Sequence, residues 1–357
     1  MREAGQSAAC ETALLAPCTA APAATPERSA SAAACRPAAP AGYTPARLKR
    51  LWSLLFGTLV FLVALWVLRR WALGLTLEEL LREITAVGPE PILLAVAFTA
   101  LSFAALIGYE YYAVRFVRRT APFQAVALYS FITQAIAHAV GFAILIGATV
   151  RYRLYGAKGF TFLDVMKIQL YFSSAFGLGM ATLGGIVLLA WPEVLAAATG
   201  LAPSWFRLLG LLVLAGVAVI LLLVSVLRRR LRLLGQVVEL PEWRITLLLI
   251  ALGIGDLAGI AATLHVLLPP ELALAYHETL AILVAALALG LLSQVPGSLG
   301  VLEGAVLLLI APPEQLTAAL FGALILFRAI YYMLPLALGT LGLLVVELWR
   351  LGRGRCD

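Results

Sequence analysis

Apolar residues dominate the chain in long runs that recur from residue 51 to residue 349. Most of these runs reach about 20 residues, the length that a helix needs to cross a hydrocarbon core of about 30 Å. The pattern therefore predicts an all-α fold, a polytopic bundle of membrane helices. The predicted apolar elements are residues 51–73, 91–114, 123–150, 165–191, 205–227, 245–268, 272–292, 299–310 and 316–349.

The segments that flank these elements divide the chain into three predicted parts. Residues 1–46 are rich in Ala, Pro, Ser and Thr and lack the charged and apolar regions of a secretory signal, which predicts a disordered cytoplasmic tail. Residues 47–350 form the predicted membrane domain, and residues 351–357 form a short basic cytoplasmic tail. The element 316–349 contains Pro335 and is too long for one straight crossing, so a kinked helix and two short helices both fit it.

Lys and Arg cluster after residues 114, 150 and 227, and such clusters mark cytoplasmic loops. If every apolar element crossed the membrane once, these clusters would fall on opposite sides. They share one side if residues 123–150 form a hairpin that enters and leaves from the cytoplasm, with its tip near His138 and Gly141. The alternative is an ordinary helix of 28 residues with basic residues outside.

The stretch SQVPGSLGVLEG, residues 293–304, interrupts the apolar pattern a second time. Pro296 removes a backbone donor, and Gly297 and Gly300 allow a tight turn, so the stretch predicts the tip of a broken-helix hairpin. This hairpin would start and end outside the cell. One hairpin from each side is typical of inverted-repeat transporters, whose binding site lies between the hairpins near the middle of the membrane.

Composition restricts the class of protein further. The 357 residues are 62% hydrophobic and 13% charged, whereas soluble domains contain about 25% charged residues. In such a chain the net charge of +7 predicts attraction to anionic lipid rather than binding of nucleic acid. The four cysteines lie in the tails without metal-ligand spacing, and no nucleotide-loop or hydrolase motif occurs, so we expect no metal and no cofactor.

Charged residues inside the apolar elements are the candidate functional residues, because a charge at membrane depth is expensive and usually has a partner. Arg328 lies in one element, and Asp256 and Glu303 lie in two others, so we expect Arg328 to pair with Glu303 or Asp256. Glu303 could instead cap a helix N-terminus. Glu110 and Arg115 are further candidates, although both could lie at the membrane edge, with Arg115 extending to the interface.

Four stretches resemble the transmembrane region of the lysylphosphatidylglycerol synthase family: AVGFAILIGATVRYRLYGAKGFT, GDLAGIAATLHVLLP, SQVPGSLGVLEG and LFRAIYYMLP. The resemblance covers roughly residues 50–350. In two-part enzymes of that family, this region is the lipid flippase, and a cytosolic domain aminoacylates phosphatidylglycerol. The resemblance places seven residues on family motif positions: Arg151, Arg153, Pro296, Gly297, Gly300, Glu303 and Arg328.

This chain also departs from the family pattern. Glu110 stands where an aspartate is expected, and the tryptophan expected after Asp256 is absent. The sequence stops at Asp357 without an aminoacyl-transferring domain. We therefore expect a standalone form that does not itself synthesise lysylphosphatidylglycerol.

These observations predict a lipid translocator of the bacterial inner membrane, with both termini in the cytoplasm and membrane phospholipid as its partner. Basic cytoplasmic residues would gather an anionic headgroup, and the buried charges would carry it past the apolar core. One alternative is a non-transporting accessory subunit of a separate lipid-modifying or cell-envelope enzyme. A second is a membrane-embedded transferase that uses a lipid-linked donor and a carboxylate pair, for which Glu110 and Asp256 are the candidates.

Overall fold

Long helices account for most of the chain that the computed structural model describes. The described residues are 87–140, 143–226, 230–233, 236–239, 242–293, 296–298 and 300–353. The predicted tail of residues 1–46 and the apolar element 51–73 lie outside them. The helices are α1 (Pro89–Phe116), α2 (Phe123–Val140), α3 (Ala143–Gly156), α4 (Phe162–Ala190), α5 (Pro192–Thr199), α6 (Pro203–Val226), α7 (Trp243–His265), α8 (Tyr276–Ser293), α9 (Val301–Ile310), α10 (Glu314–Arg328) and α11 (Leu334–Arg353).

Six helices in the described part of the chain are long and apolar enough to cross a membrane. They are α1, α2, α4, α6, α7 and the continuous helix of residues 319–351, in which α10 joins α11. The predicted all-α, polytopic membrane bundle is thereby confirmed. The helices α8 and α9 are apolar but shorter.

The first predicted hairpin is present as α2 and α3, which pack against each other. Gly141, predicted near its tip, lies outside the described residues. Tyr129 near the start of α2 and Tyr155 near the end of α3 place their ring centroids 5.2 Å apart, so the two arms run in opposite directions. The second arm continues to Gly156, beyond the predicted end at residue 150. The prediction placed Arg151 in a loop because of its charge, but Arg151, Leu154 and Tyr155 are buried against the bundle.

The second predicted hairpin is also confirmed, with α8 and α9 as its arms and a 3₁₀ turn at Pro296–Ser298 near its tip. Gly297 and Gly300 adopt positive φ angles of 62° and 77°, which glycine reaches without steric cost. The N–H of Gly300 donates to the Glu303 carboxylate at 2.9 Å, so Glu303 also caps α9, as the alternative reading proposed.

Ion pairs and ring contacts show which helix ends share a side of the bundle. Arg119 pairs with Asp164 at 2.8 Å, and Arg153 pairs with Glu347 at 2.9 Å. We call this side, where α1, α3 and α11 end and α2 and α4 begin, the basic face. On the other side Trp191 contacts His277, with 5.1 Å between ring centroids. The two hairpins therefore enter the bundle from opposite sides, α2–α3 from the basic face and α8–α9 from the other.

The long C-terminal element is one helix with a local distortion rather than two separate helices. Residues Ala329–Met333 form a π-helical segment between α10 and α11, immediately before Pro335. Proline has no N–H to donate, and its ring crowds the carbonyl four residues earlier, so a wider turn at this place relieves the clash. This outcome is the kinked helix of the two predicted alternatives.

A two-stranded antiparallel sheet between α6 and α7 was not predicted. Its strands are β1 (Arg230–Leu233) and β2 (Gln236–Glu239), with Arg230 opposite Glu239. Residues 228–232 were interpreted as part of a basic loop, because four of these five residues are Arg. The period-two alternation of Arg and Leu at 230–233 was the signal for a strand.

Glycines of the GLGMATLGG stretch, residues 177–185, bring α4 close to its neighbours. A Cβ atom added to Gly179 would lie 2.7 Å from the Cα of Gly253 on α7. A Cβ atom added to Gly185 would lie 2.8 Å from the Leu214 side chain on α6. Small residues thus allow the backbones of membrane helices to approach closely.

The topology predicts the sides from which introduced cysteines can be labelled. After replacement of the four native cysteines, Thr120→Cys and Lys158→Cys should react from one side of the membrane, and Glu271→Cys from the other. All three positions are exposed. The measurement is labelling by an impermeant thiol reagent in intact cells and in inverted vesicles. Labelling of Lys158→Cys and Glu271→Cys from the same side would contradict the opposed hairpins.

The glycine contact predicts a position-dependent effect of alanine. Gly179→Ala should destabilise the protein by about 1–3 kcal/mol, because the new methyl group meets backbone atoms that cannot move aside. Gly177→Ala is the matched control on the same helix, since nothing lies within 4 Å of its added Cβ, and it should be neutral or stabilise by about 0.5–1 kcal/mol. Unfolding in detergent measures both. Equal stability of the two variants would refute tight α4–α7 packing.

Candidate functional site: the junction of the two hairpins

Arg328 holds the turn of the second hairpin and is almost fully buried. Its Nη1 donates to the carbonyl of Gly297 at 2.7 Å, and its Nη2 donates to the carbonyl of Ser298 at 3.0 Å. Its Nε donates to Glu303. The predicted pair of Arg328 with Glu303, one of the two partners considered, is confirmed. A helix that breaks inside a membrane leaves carbonyls without partners, and this guanidinium supplies donors to two of them.

The guanidinium also lies against an aromatic ring. The centre of the Arg328 guanidinium is 4.7 Å from the ring centroid of Tyr332, one turn further along the same helix. Glu303 keeps 14% of its side chain exposed, whereas Arg328 keeps 3%. The pair therefore lies at the edge of the enclosed region, with its carboxylate the more accessible partner.

Asp256, the second partner considered for Arg328, makes a different contact. Ser102 Oγ on α1 donates to Asp256 Oδ1 at 2.5 Å, and the same Ser102 oxygen lies 3.0 Å from the Tyr331 hydroxyl. Asp256 and Ser102 are both fully buried. Tyr331 belongs to the π-helical segment, so these three residues connect α1, α7 and the distorted part of the C-terminal helix.

The two hairpins meet beside these residues. The 3₁₀ turn Pro296–Ser298 of the second hairpin packs against α2 of the first. Near the end of α2, His138 stacks on Tyr331 with 6.4 Å between centroids. His138 also contacts Phe103 of α1 edge-on, so its ring packs between two aromatic side chains. We call Ser102, Asp256, Glu303, Arg328 and Tyr331 the junction site.

Glu110 and Arg151 form a separate, fully enclosed ion pair near the basic face. Arg151 Nη2 lies 2.6 Å from Glu110 Oε2, with exposures of 1% and 0% for the two side chains. Arg151 Nη1 donates to Gln169 at 2.5 Å, and its guanidinium lies 4.8 Å from the Phe172 ring centroid. The pair joins α1 to α3 and α4. Glu110 is therefore a buried residue with a cation on another helix, a partner that neither the sequence spacing nor the resemblance indicated.

Arg153 joins the first hairpin to the C-terminal helix. It donates to both oxygens of Glu347, at 3.0 and 2.9 Å. Arg350 donates to the carbonyl of Leu154 at 2.9 Å and to Glu347 at 3.2 Å. Glu347 is a residue that sequence reasoning missed, although a lone carboxylate three residues from an arginine in an apolar helix was an available signal.

Arg115 remains outside both clusters. It is exposed, donates to the Tyr111 hydroxyl at 3.0 Å and lies beside that ring on the basic face. This is the interfacial position that was the alternative for Arg115. The candidate carboxylates of the transferase alternative are not brought together, because Glu110 bonds Arg151 and Asp256 bonds Ser102. Within the described ranges, no group of three or more His, Cys, Asp or Glu side chains could hold a metal ion.

Comparison with known proteins identifies relatives of the chain. No protein-family model matches the sequence. The chain is 30% identical over 263 residues to the uncharacterized protein slr0712 of Synechocystis sp. (strain ATCC 27184 / PCC 6803 / Kazusa), and the alignment covers 73% of this chain and 81% of that protein. The chain belongs to the family of slr0712.

A second relative names a cellular location. The chain is 26% identical over 202 residues to the inner membrane protein YbhN of Escherichia coli (strain K12). This alignment covers 56% of this chain and 63% of YbhN. With its candidate spans, the chain is a multi-pass membrane protein related to an inner membrane protein.

The enclosed pair predicts strong coupling between two substitutions. Arg151→Met alone should destabilise the protein by about 3–5 kcal/mol, because it leaves the Glu110 carboxylate buried without its cation. Adding Glu110→Leu should recover much of that loss, since apolar replacement of a whole buried pair is often close to neutral. Unfolding of the single and double variants in detergent gives the coupling energy.

The matched control is the exposed pair of Arg207 and Glu193, whose side chains are 55% and 63% exposed. Substitution of either by alanine should change stability by less than about 1 kcal/mol. A double Arg151→Met, Glu110→Leu variant that loses the sum of its two single effects would show that the pair is not a unit.

Proposed function

We propose that this protein moves phospholipid, or a modified phospholipid, between the two leaflets of the bacterial inner membrane. The observation that carries the proposal is the meeting of two opposed hairpins at a buried arginine, Arg328, whose guanidinium holds a backbone turn. Hairpins that enter from opposite faces are typical of transporters that bind their substrate near the middle of the membrane.

The chemistry of Arg328 fits a phospholipid headgroup. A guanidinium binds phosphate through two parallel N–H bonds, with a geometry that suits a fork of donors. Two of its present acceptors are neutral carbonyls of Gly297 and Ser298. A phosphate oxygen is a stronger acceptor than a neutral carbonyl, so a headgroup could replace the turn and release the hairpin from Arg328.

The charge distribution supports an orientation for this movement. Arg115, Arg119, Arg153 and Lys158 lie at the basic face, and by the positive-inside rule this face is cytoplasmic. The C-terminus would then be cytoplasmic as well. Exposed cations there would gather anionic headgroups from the inner leaflet, before the headgroup reaches the junction site.

The resemblance to the flippase region of the lysylphosphatidylglycerol synthase family supports the same substrate class. The motif residues Gly297, Gly300, Glu303 and Arg328 all lie at the turn of the second hairpin or bond to it. They form one site in space, although Arg328 lies 31 residues from Gly297 in the sequence.

The accessory-subunit alternative has one observation in its favour. The charged residues Glu110 and Arg151 are enclosed and satisfy each other, which is an arrangement that a purely structural bundle also needs. Under this alternative, the protein would assemble with a separate lipid-modifying enzyme and would move no lipid in isolation.

The proposal predicts that the fork of Arg328, and not its charge alone, is required. Arg328→Lys keeps one positive charge but cannot reach Glu303 and both carbonyls at once, so lipid movement should slow by roughly tenfold or more. The assay is dithionite quenching of fluorescent phosphatidylglycerol in vesicles that contain the purified protein. Melting in detergent confirms that the variant remains folded.

Arg207→Lys is the matched control, because Arg207 lies on the opposite face in an exposed pair with Glu193. It should move lipid as fast as the unmodified protein. Equal rates for Arg328→Lys and Arg207→Lys would remove Arg328 from the lipid path. A folded, unmodified protein that moves no lipid would favour the accessory-subunit alternative.

A further inference from the structure

Asp256 has an unusual environment for a carboxyl group. It is 0% exposed, and Ser102 donates to its Oδ1. Its Oδ2 has no hydrogen-bond partner among the described residues. Buried polar atoms in native proteins almost always have a partner, so an orphan oxygen of a carboxyl group requires an explanation.

Other titratable and charged groups around Asp256 leave this oxygen without a cation. Titratable and charged groups on the described elements around Asp256 include Tyr109 and Glu110 on α1, His138 on α2, Tyr276 on α8, Arg328 on α10, and Tyr331 and Tyr332 in the π-helical segment. The Tyr276 hydroxyl donates to the carbonyl of Ala258 on α7. On α4, α6 and α8, every ionisable side chain lies within the three turns that follow the helix N-terminus. Glu110 is bonded to Arg151, and Arg328 is bonded to Glu303 and the turn.

The groups nearest to Asp256 fit a proton better than a metal ion. Hydroxyl and carboxyl oxygens of Ser102, Tyr331 and Asp256 form a single chain of hydrogen bonds. Tyr109 adds another hydroxyl that has no hydrogen-bond partner within the described part of the chain, near Gly253 one turn before Asp256 on α7. A hard metal cation takes about six or more oxygen ligands, whereas a proton needs one carboxyl oxygen. A neutral carboxylic acid also avoids an unpaired charge at membrane depth.

The chain of hydrogen bonds leads from Asp256 to the arginine of the junction site. Ser102 connects Asp256 to the hydroxyl of Tyr331. Tyr331 lies three residues after Arg328, in the π-helical segment that begins directly after it. Single π turns inside α-helices are frequent at functional sites. Two hydrogen bonds therefore connect Asp256 to the π-helical segment that directly follows Arg328.

We propose that Asp256 is a proton-binding site that couples proton movement to the opening of the hairpin junction. This proposal rests on the proposed lipid movement for its coupling, but not for the binding of the proton. In the closed state, a proton bonded to Oδ2 keeps the carboxyl group neutral. When the O–H bond breaks, the proton leaves to water and a carboxylate remains. Because this charge is unfavourable in an enclosed site, the ionised state favours an open junction that admits water and the headgroup.

The first experiment tests proton binding without lipid transport. Infrared difference spectra of the full chain in lipid vesicles separate the C=O stretch of a protonated carboxyl group from the bands of carboxylates. We expect a protonated carboxyl band in the unmodified protein at neutral pH that is absent in Asp256→Asn. Asp164→Asn is the matched control, since Asp164 pairs with Arg119 at the basic face, and it should retain the band. If both variants keep the protonated band, Asp256 is not the proton site.

The second experiment tests coupling. Vesicles of phosphatidylethanolamine and phosphatidylglycerol with fluorescent phosphatidylglycerol receive a pH gradient of either direction, or a sodium gradient at constant pH. We expect the initial rate of lipid movement to depend on the direction of the pH gradient in the unmodified protein and in Asp164→Asn. Asp256→Asn should give one rate under all conditions. Tyr331→Phe, which breaks the hydrogen-bond chain but keeps the ring, should retain the protonated band and lose the dependence on the gradient.

The outcomes separate this proposal from the proposed function. A protonated band at Asp256 without lipid movement in any protein would overturn the proposed function and leave the proton site standing. Lipid movement that ignores the pH gradient, or follows a sodium gradient instead, would overturn the coupling. Lipid movement in Asp256→Asn that still follows the pH gradient would place the coupling group elsewhere.

Discussion

A backbone that breaks at membrane depth must find hydrogen-bond partners within the protein, since lipid tails provide none. The turn of the second hairpin meets this constraint through Arg328, which donates to the carbonyls of Gly297 and Ser298. Glu303 then has two roles, as the partner of Arg328 and as the acceptor for the N–H of Gly300. Without a cation at this position, two carbonyls and a carboxylate would be left with weaker partners in the same small volume.

The first hairpin is held by the same kind of interaction, placed at its base instead of its tip. Arg151 bonds Glu110 on α1 and Gln169 on α4, and Arg153 bonds Glu347 on α11. Three different helices are therefore fixed to one turn of α3. The first hairpin is thus held at its base and the second at its tip. The two hairpins meet where α2 contacts the turn of the second hairpin.

The junction also explains why the C-terminal helix is distorted where it is. Pro335 requires a wider turn before it, and the π-helical segment that results contains Tyr331. The Tyr331 ring stacks on Phe327 with 5.7 Å between centroids, and its hydroxyl lies 3.0 Å from Ser102. A regular helix would rotate the following residues about the axis, so the distortion sets both the position of Tyr331 and its relation to Arg328.

The sequence by itself determined the membrane bundle, the approximate bounds of most described helices and both hairpins. These follow from local properties: apolar length sets spanning helices, Pro and Gly set the break at residues 296–300, and the sided distribution of Lys and Arg favours a hairpin at α2 and α3 over one long helix. The pairing of Arg328 with a carboxylate was also predictable, because a charge inside an apolar element needs a partner.

Only the tertiary structure decided which carboxylate each arginine takes. Glu110 pairs with Arg151, 41 residues away, and Arg153 pairs with Glu347, 194 residues away. Spacing along the chain carries no information about such partners, since they depend on which helix faces meet after packing. The same holds for Asp256, whose bond to Ser102 and orphan oxygen arise from the close approach of α1 and α7. The hydrophobic pattern shows that these residues are inside, but the physical contact between helices decides what each one touches.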